Sequence, residues 1–339
     1  MESTKRGSEY TLPNTAYQTL LHRVTVAGCF RPAYLQHTII FLVAILGLSF
    51  IAYTVTLTDN IWISLLSASA AGFFMVQLGL IGHDLSHAGV FRSKKANRLG
   101  ALLIWSLSCG LSESRWFAKH NAHHQSPNHI GYDPDIDIPF VFSHEQGAAR
   151  SPFYQKFILP HQHILFWVGI WFVYPSNILN SMRYLLQHPT TRSIFEIGLM
   201  IVHYALVFGF TYWHLPPLTA TLFNLIVFLV IGVYMALVFA PNHKGEDMLR
   251  ADQTPNWVHQ ITLTRNITPS PVITYIFGGI ECQIEHHLFP TMPRFHYREA
   301  RIIVKDFCSE HHLPYHETSW LNSLRQIHSA LRTEAAMWR

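Results

Sequence analysis

The chain has 339 residues, of which 49% are hydrophobic and only 13% charged, against about 25% charged in an average soluble domain. That balance points to apolar runs that meet lipid, and it excludes disordered, collagen-like and coiled-coil proteins. The net charge is a modest +4, and no nucleic-acid partner is expected.

In chain order, the first six residues carry charge without an adjoining apolar run, so no cleaved signal peptide is expected. Four stretches, 38–57, 61–82, 193–213 and 218–240, are apolar over the roughly 20 residues that a helix needs to cross a hydrocarbon core. Short turns at 58–60 and 214–217 join them in pairs, which predicts two transmembrane hairpins. Shorter apolar stretches at 99–111, 163–179 and 271–280 suit interfacial or re-entrant helices. All 24 Lys and Arg residues fall in 1–37, 83–192 and 241–339. Short cytoplasmic segments retain basic residues, so both termini and the segments 83–192 and 241–339 are expected on the cytoplasmic side, as one helical cap. With no internal repeat or linker, a single domain over 1–339 is expected. The four cysteines, Cys29, Cys109, Cys282 and Cys308, include no CxxC pair. They supply neither a disulfide framework nor a thiolate metal site, and a reducing compartment is expected.

The chemistry lies in the spacing of histidines, of which there are 23. His83-Asp84-Leu85-Ser86-His87 closes the second apolar run with an i, i+4 pair, which puts both imidazoles on one helix face. His120-Asn121-Ala122-His123-His124 is an HxxHH, and Gln283-Ile284-Glu285-His286-His287 repeats that geometry with Gln first. His243 follows directly on the fourth run. Eight imidazoles exceed one tetrahedral site and fit two metals with open positions. Spacing alone leaves Zn, Cu, Fe and Ni open. The chain has no HExxH motif, no Glu-x-x-His pair, no P-loop and no GxGxxG. Asp84 and Glu285 sit within the boxes, where a carboxylate can hold a ligand imidazole by accepting its far ring N–H. Asp133-Pro134-Asp135-Ile136-Asp137 reads either as a plain Asp-Pro turn or as a segment whose carboxylates shape the cap. The remaining histidines, including His203 inside the third run, are expected in structural roles.

The three boxes, with Trp116-Phe117-Ala118-Lys119 leading into the second and Leu288-Phe289-Pro290 following the third, resemble those of the integral-membrane fatty acid desaturases. The Gln-first third box is similar to that of the front-end group and also to that of bacterial acyl-CoA desaturases of other regiospecificity, so it leaves the position of the double bond open. The resemblance implies an all-α integral membrane fold, with four transmembrane helices as two hairpins under a cytoplasmic helical cap that holds a dimetal site. It implies two iron ions, Fe2+ or Fe3+, with O2 as co-substrate. The ligands would be His83, His87, His120, His123, His124, His243, His286 and His287, with Gln283 binding directly or through water.

The substrate so implied is a fatty acyl chain on CoA, lipid or acyl carrier protein, and the aromatic stretch 163–174 would line its tunnel or form an interfacial belt. Desaturation ranks above hydroxylation or acetylenic bond formation, which use the same boxes. A rival from another class is a histidine-rich membrane receptor or metal carrier without redox turnover. A transporter should carry ionisable residues within its spans, where Glu196 is the only clear acidic candidate. No His-Pro-Gly-Gly haem motif stands in the first 37 residues, so electrons are expected from a separate ferredoxin or cytochrome b5 with its reductase. The basic cluster Arg92, Lys94, Lys95 and Arg98 suits an acidic donor or anionic membrane lipid.

Overall fold

An apolar run in lipid must satisfy its own backbone hydrogen bonds, and within one segment only a helix does so. The computed structural model describes residues 7–339, and it turns all four expected runs into helices: Tyr34–Leu57, Ile61–Ser86, Thr191–His214 and Pro217–His243. The turn residue Asn60 starts the second helix, its Oδ1 accepting from the backbone N–H of Trp62 at 2.9 Å. Thr190 starts the third in the same way through Ser193 N–H at 3.1 Å. Two of these helices run beyond their apolar stretches and carry box residues on the surplus. Ile61–Ser86 holds His83 in its last turn and is capped by His87, while Pro217–His243 ends on His243 itself.

A fifth segment, Tyr154–Gln187, is also long and apolar enough to cross a membrane. It contains the stretch 163–179, which the sequence reads as an interfacial or re-entrant helix. Unlike the other four, it is assembled from short pieces, with helices Gln162–Gly169 and Val173–Gln187 among tighter and wider turns. Strand is confined, among the described residues, to Asn266–Ile267 paired in parallel with Glu317–Thr318.

The backbone divides into two compact units. A span unit comprises Pro32–Ala118 and Ile170–Leu237. Its outer surface is apolar: Leu35, Phe50, Leu66 and Ile194 are each about 70% exposed. Two of its buried polar side chains show how such groups are paired in low-dielectric surroundings. His203 meets the Leu107 carbonyl through Nδ1 at 3.0 Å, the structural role expected for it. Glu196 is fully buried and accepts from Ser112 Oγ at 2.7 Å and Ser114 N–H at 3.2 Å. Ser112 Oγ in turn accepts from Arg115 N–H at 3.1 Å. This carboxylate thereby fixes the start of helix Glu113–Gln125, where a negative charge also suits the helix dipole.

The second unit, here the site unit, gathers the chain up to Arg31 with Lys119–Gly169 and Val238–Arg339. Its core is an apolar cluster that includes Leu20, Val24, Val258, Ile284, Val304 and Phe307. All four cysteines of the chain are buried and free of disulfides.

Candidate metal centre

Helix Glu113–Gln125 carries His120, His123 and His124 in its second half, and the i, i+3, i+4 spacing turns them to one side. His120 and His124 face each other with Nε2 atoms 3.1 Å apart. Opposite them in the site unit stands the short helix Gln283–Leu288, all six of whose residues are buried. Its His287 ring stacks on His124 at 4.3 Å, and His286 meets His124 edge-on at 4.6 Å. His243 joins from the end of its long helix, its Nε2 3.3 Å from His123 Nε2. The ligating atoms of His123, His243 and His287 lie within 4.8 Å of one another.

Six of the eight candidate imidazoles, five from the boxes and His243, are thus gathered in the site unit with Gln283. His83 and His87 belong to the span unit, where both are buried with ring centroids 4.8 Å apart and Trp116 beside them.

The donor set fits metal ions. Ring nitrogens that meet about 3 Å apart have the spacing of neighbouring ligands on one ion with bonds of about 2.0–2.1 Å. Imidazole nitrogen suits iron, zinc, copper and nickel. Three of the rings are also committed through Nδ1, which leaves Nε2 as the atom they offer. His123 Nδ1 donates to Asp133 Oδ2 at 2.9 Å, and that oxygen also accepts from Asn128 N–H at 2.7 Å. His287 Nδ1 donates to Gln260 Oε1 at 2.8 Å, while Gln260 Nε2 donates to the His124 carbonyl at 2.8 Å. His286 Nδ1 pairs with Tyr297 OH at 3.0 Å. Such partners set ring orientation and raise ligand basicity.

The backbone around His243 is held from both sides. Arg265, wholly buried, donates to the Lys244 carbonyl at 2.6 Å and to Glu246 Oε1 at 2.6 Å, and Asn128 Nδ2 donates to the His243 carbonyl at 3.2 Å.

The carboxylates set the local field. Burial opposes a charge on His123, but Asp133 and Asp135 outweigh it and raise its pKa. Burial also works against an ionised Asp135, yet Lys119, then His123 and Lys244, hold its carboxyl well below the ordinary range. The two carboxylates expected inside the boxes are placed differently from each other. Asp84 accepts from His37 Nε2 at 3.0 Å and lies 3.5 Å from His83 Nδ1. Glu285 accepts from Asn266 Nδ2 at 2.7 Å and Tyr315 OH at 2.9 Å, while Tyr297 and Gln260 meet its neighbouring imidazoles. Burial pushes the Glu285 carboxyl up to about 7 against those two bonds. Gln260, Tyr297, Arg265 and His37 escaped the sequence reading because each is a single residue outside any repeated spacing.

The family of fatty acid desaturases matches residues 60–319, a range that includes all three boxes and His243. The chain belongs to the fatty acid desaturase family. It is 28% identical to a Delta(8)-fatty-acid desaturase of Borago officinalis, over 95% of this chain and 76% of that relative. It is 32% identical to the Delta(6)-fatty-acid desaturase fat-3 of Caenorhabditis elegans, over 80% of this chain and 65% of that one. It is 30% identical to the Delta(5) fatty acid desaturase fat-4 of the same organism, over 74% of this chain and 59% of that one. A desaturase is an oxidoreductase acting on fatty acyl chains, and the five long apolar helices fit a multi-pass membrane enzyme.

Proposed function

We propose that this desaturase is O2-dependent and introduces a double bond into an acyl chain at a histidine-ligated di-iron centre, with electrons from an external donor. The observation that carries the reading is the donor geometry: ring nitrogens 3.1 and 3.3 Å apart, backed by Asp133 and Gln260, in a buried cluster. The ligands in this reading are His83, His87, His120, His123, His124, His243, His286 and His287, with Gln283 beside His243. Bound iron supplies the activation of O2 and the removal of hydrogen from adjacent carbons. The chain supplies the rest: imidazoles at fixed separations, Asp133, Gln260 and Tyr297 to hold the rings, and burial to exclude water.

In the same reading, four helices cross the membrane and Tyr154–Gln187 lies along the interface. Its short pieces and the basic residues Lys156 and Arg183 suit an interface better than a hydrocarbon core. Both termini and the cap, 83–192 and 241–339, are then cytoplasmic, where the basic residues belong. The two units act as one domain, since each is assembled from separated segments of the chain. The acyl group arrives on CoA, lipid or acyl carrier protein. Ferredoxin or cytochrome b5, with its reductase, supplies the electrons, and the exposed Arg92, Lys94, Lys95 and Arg98 support docking of an acidic partner.

Expression with such a donor system, followed by mass spectrometry of the host's acyl chains, tests the reading. Acyl chains two hydrogens lighter are expected. Hydroxylated chains, or no new product with donor and O2 present, would overturn it.

A further inference from the structure

Helix Gln283–Leu288 has six residues, too few to hold a helical form without help, and Cys282 before it gives its first turn no side-chain hydrogen bond. A helix start leaves backbone N–H groups unpaired, which is unfavourable in a buried place. One of them is met from outside the helix. Ile284 N–H donates at 2.9 Å to Oδ1 of Asn266, which lies 18 residues earlier in the chain. A backbone N–H only donates, so it fixes which end of the Asn266 amide is oxygen. The other end then has two hydrogens and two acceptors. Asn266 Nδ2 donates to Glu285 Oε2 at 2.7 Å and to Tyr315 OH at 2.6 Å. Tyr315 in turn donates to Glu285 Oε1 at 2.9 Å, which closes a ring of three side chains. Asn266, Ile284 and Glu285 are fully buried, so removing the amide would leave several polar groups unpaired away from water.

Asn266 is itself held by the short strand that carries it. Its N–H donates to the His316 carbonyl at 2.9 Å, and Ile267 N–H donates at 2.8 Å to the carbonyl of Glu281, just ahead of the third box. We infer that Asn266 is the positioning residue of the third box: it sets where helix Gln283–Leu288 stands, and hence where His286 and His287 are offered to metal. Tyr297 and Gln260 aim those two rings, but aim is useful only when the backbone that carries the rings is fixed. The inference rests on the metal-centre reading above and deepens it.

The test compares purified wild type with Asn266→Leu, which neither donates nor accepts, and with Asn266→Asp, which keeps an oxygen for Ile284 N–H but has no amide to donate. Three quantities are read on the folded protein: amide hydrogen exchange of Gln283–Leu288, the rate of metal release to a chelator, and kcat and KM for desaturation per metal-loaded chain. In Asn266→Leu, exchange in that helix and metal release should both quicken by at least about tenfold, and kcat should fall by about the same factor. KM should stay within about twofold, as expected of a change that acts through ligand placement rather than substrate binding. Asn266→Asp should fall between wild type and Asn266→Leu in exchange, release and kcat. The inference is overturned if folded Asn266→Leu exchanges and releases metal at wild-type rates, which is what a merely structural asparagine would give. Should that variant not fold, Asn266→Asp decides, and wild-type exchange and release in it would overturn the inference. Wild-type protein without metal would instead contradict the metal-centre reading, while the exchange comparison would still decide whether Asn266 holds the helix.

Discussion

Helix Tyr34–Leu57 and helix Tyr297–Glu310 are both rich in apolar residues and turn them toward different neighbours. The first has no Asp, Glu, Lys or Arg along its length, and it exposes Leu35, Leu46, Phe50 and Tyr53, each by more than 60%. The second buries Tyr297, Ala300, Val304, Phe307 and Cys308 at helical spacing and exposes Arg298, Glu299, Lys305 and Asp306. The contrast separates two sources of stability. Helix Tyr34–Leu57 owes its form to backbone groups that lipid cannot satisfy. Helix Tyr297–Glu310 owes its form to one apolar stripe removed from water. The difference bears on function, because the box residues that need exact placement, Gln283 to His287, lie in the packed core that the second helix helps to build.

Substitutions sharpen that comparison, and the largest effect belongs to the core. Phe307→Ala should cost about 3–5 kcal/mol of stability, read from denaturant unfolding in detergent, because it opens a cavity in close-packed surroundings. Phe50→Arg should impair insertion by about 2.5–3.5 kcal/mol, read as the membrane-inserted fraction, since a guanidinium near the middle of a span meets hydrocarbon. Equal tolerance of both changes would dissolve the distinction between the two regions. Asp133→Asn keeps the shape beside His123 but removes the charge, and metal affinity should fall about 10- to 100-fold, measured by competition with a chelator. Phe50→Ala should be the mildest, within about 0.5 kcal/mol of wild type by insertion, since one apolar side chain replaces another against lipid. A large loss there would show that Phe50 packs against protein.

Much of this arrangement was legible in the sequence because it is written in periods. Four apolar runs of span length gave four helices within a few residues of the expected ends. The HxxHH and QxxHH spacings marked faces that the site unit does bring together. What stayed hidden has no period. Gln260 and Arg265 are isolated polar residues in an ordinary stretch, and they matter because the fold carries them to His287 and to the backbone around His243. The segment Tyr154–Gln187 was legible only in part, since the apolar stretch 163–179 is shorter than the continuous helical run that contains it, a run whose winding alternates between regular, tighter and wider turns. Asp133 was visible as a turn residue, but its bond to His123 depends on the loop folding back toward helix Glu113–Gln125. Glu285 shows the converse: its place inside a box suggested an imidazole partner, and the fold gave it Asn266 and Tyr315.

The central claim is that the histidine boxes hold two metal ions. Elemental determination of metal per purified chain tests it most directly, in wild type and in His123→Ala and His287→Ala. Wild type should carry about two irons per chain, because eight imidazoles exceed the capacity of one ion, and both variants should carry clearly less. Wild-type protein without stoichiometric metal, or a His123→Ala protein with its metal undiminished, would contradict the account.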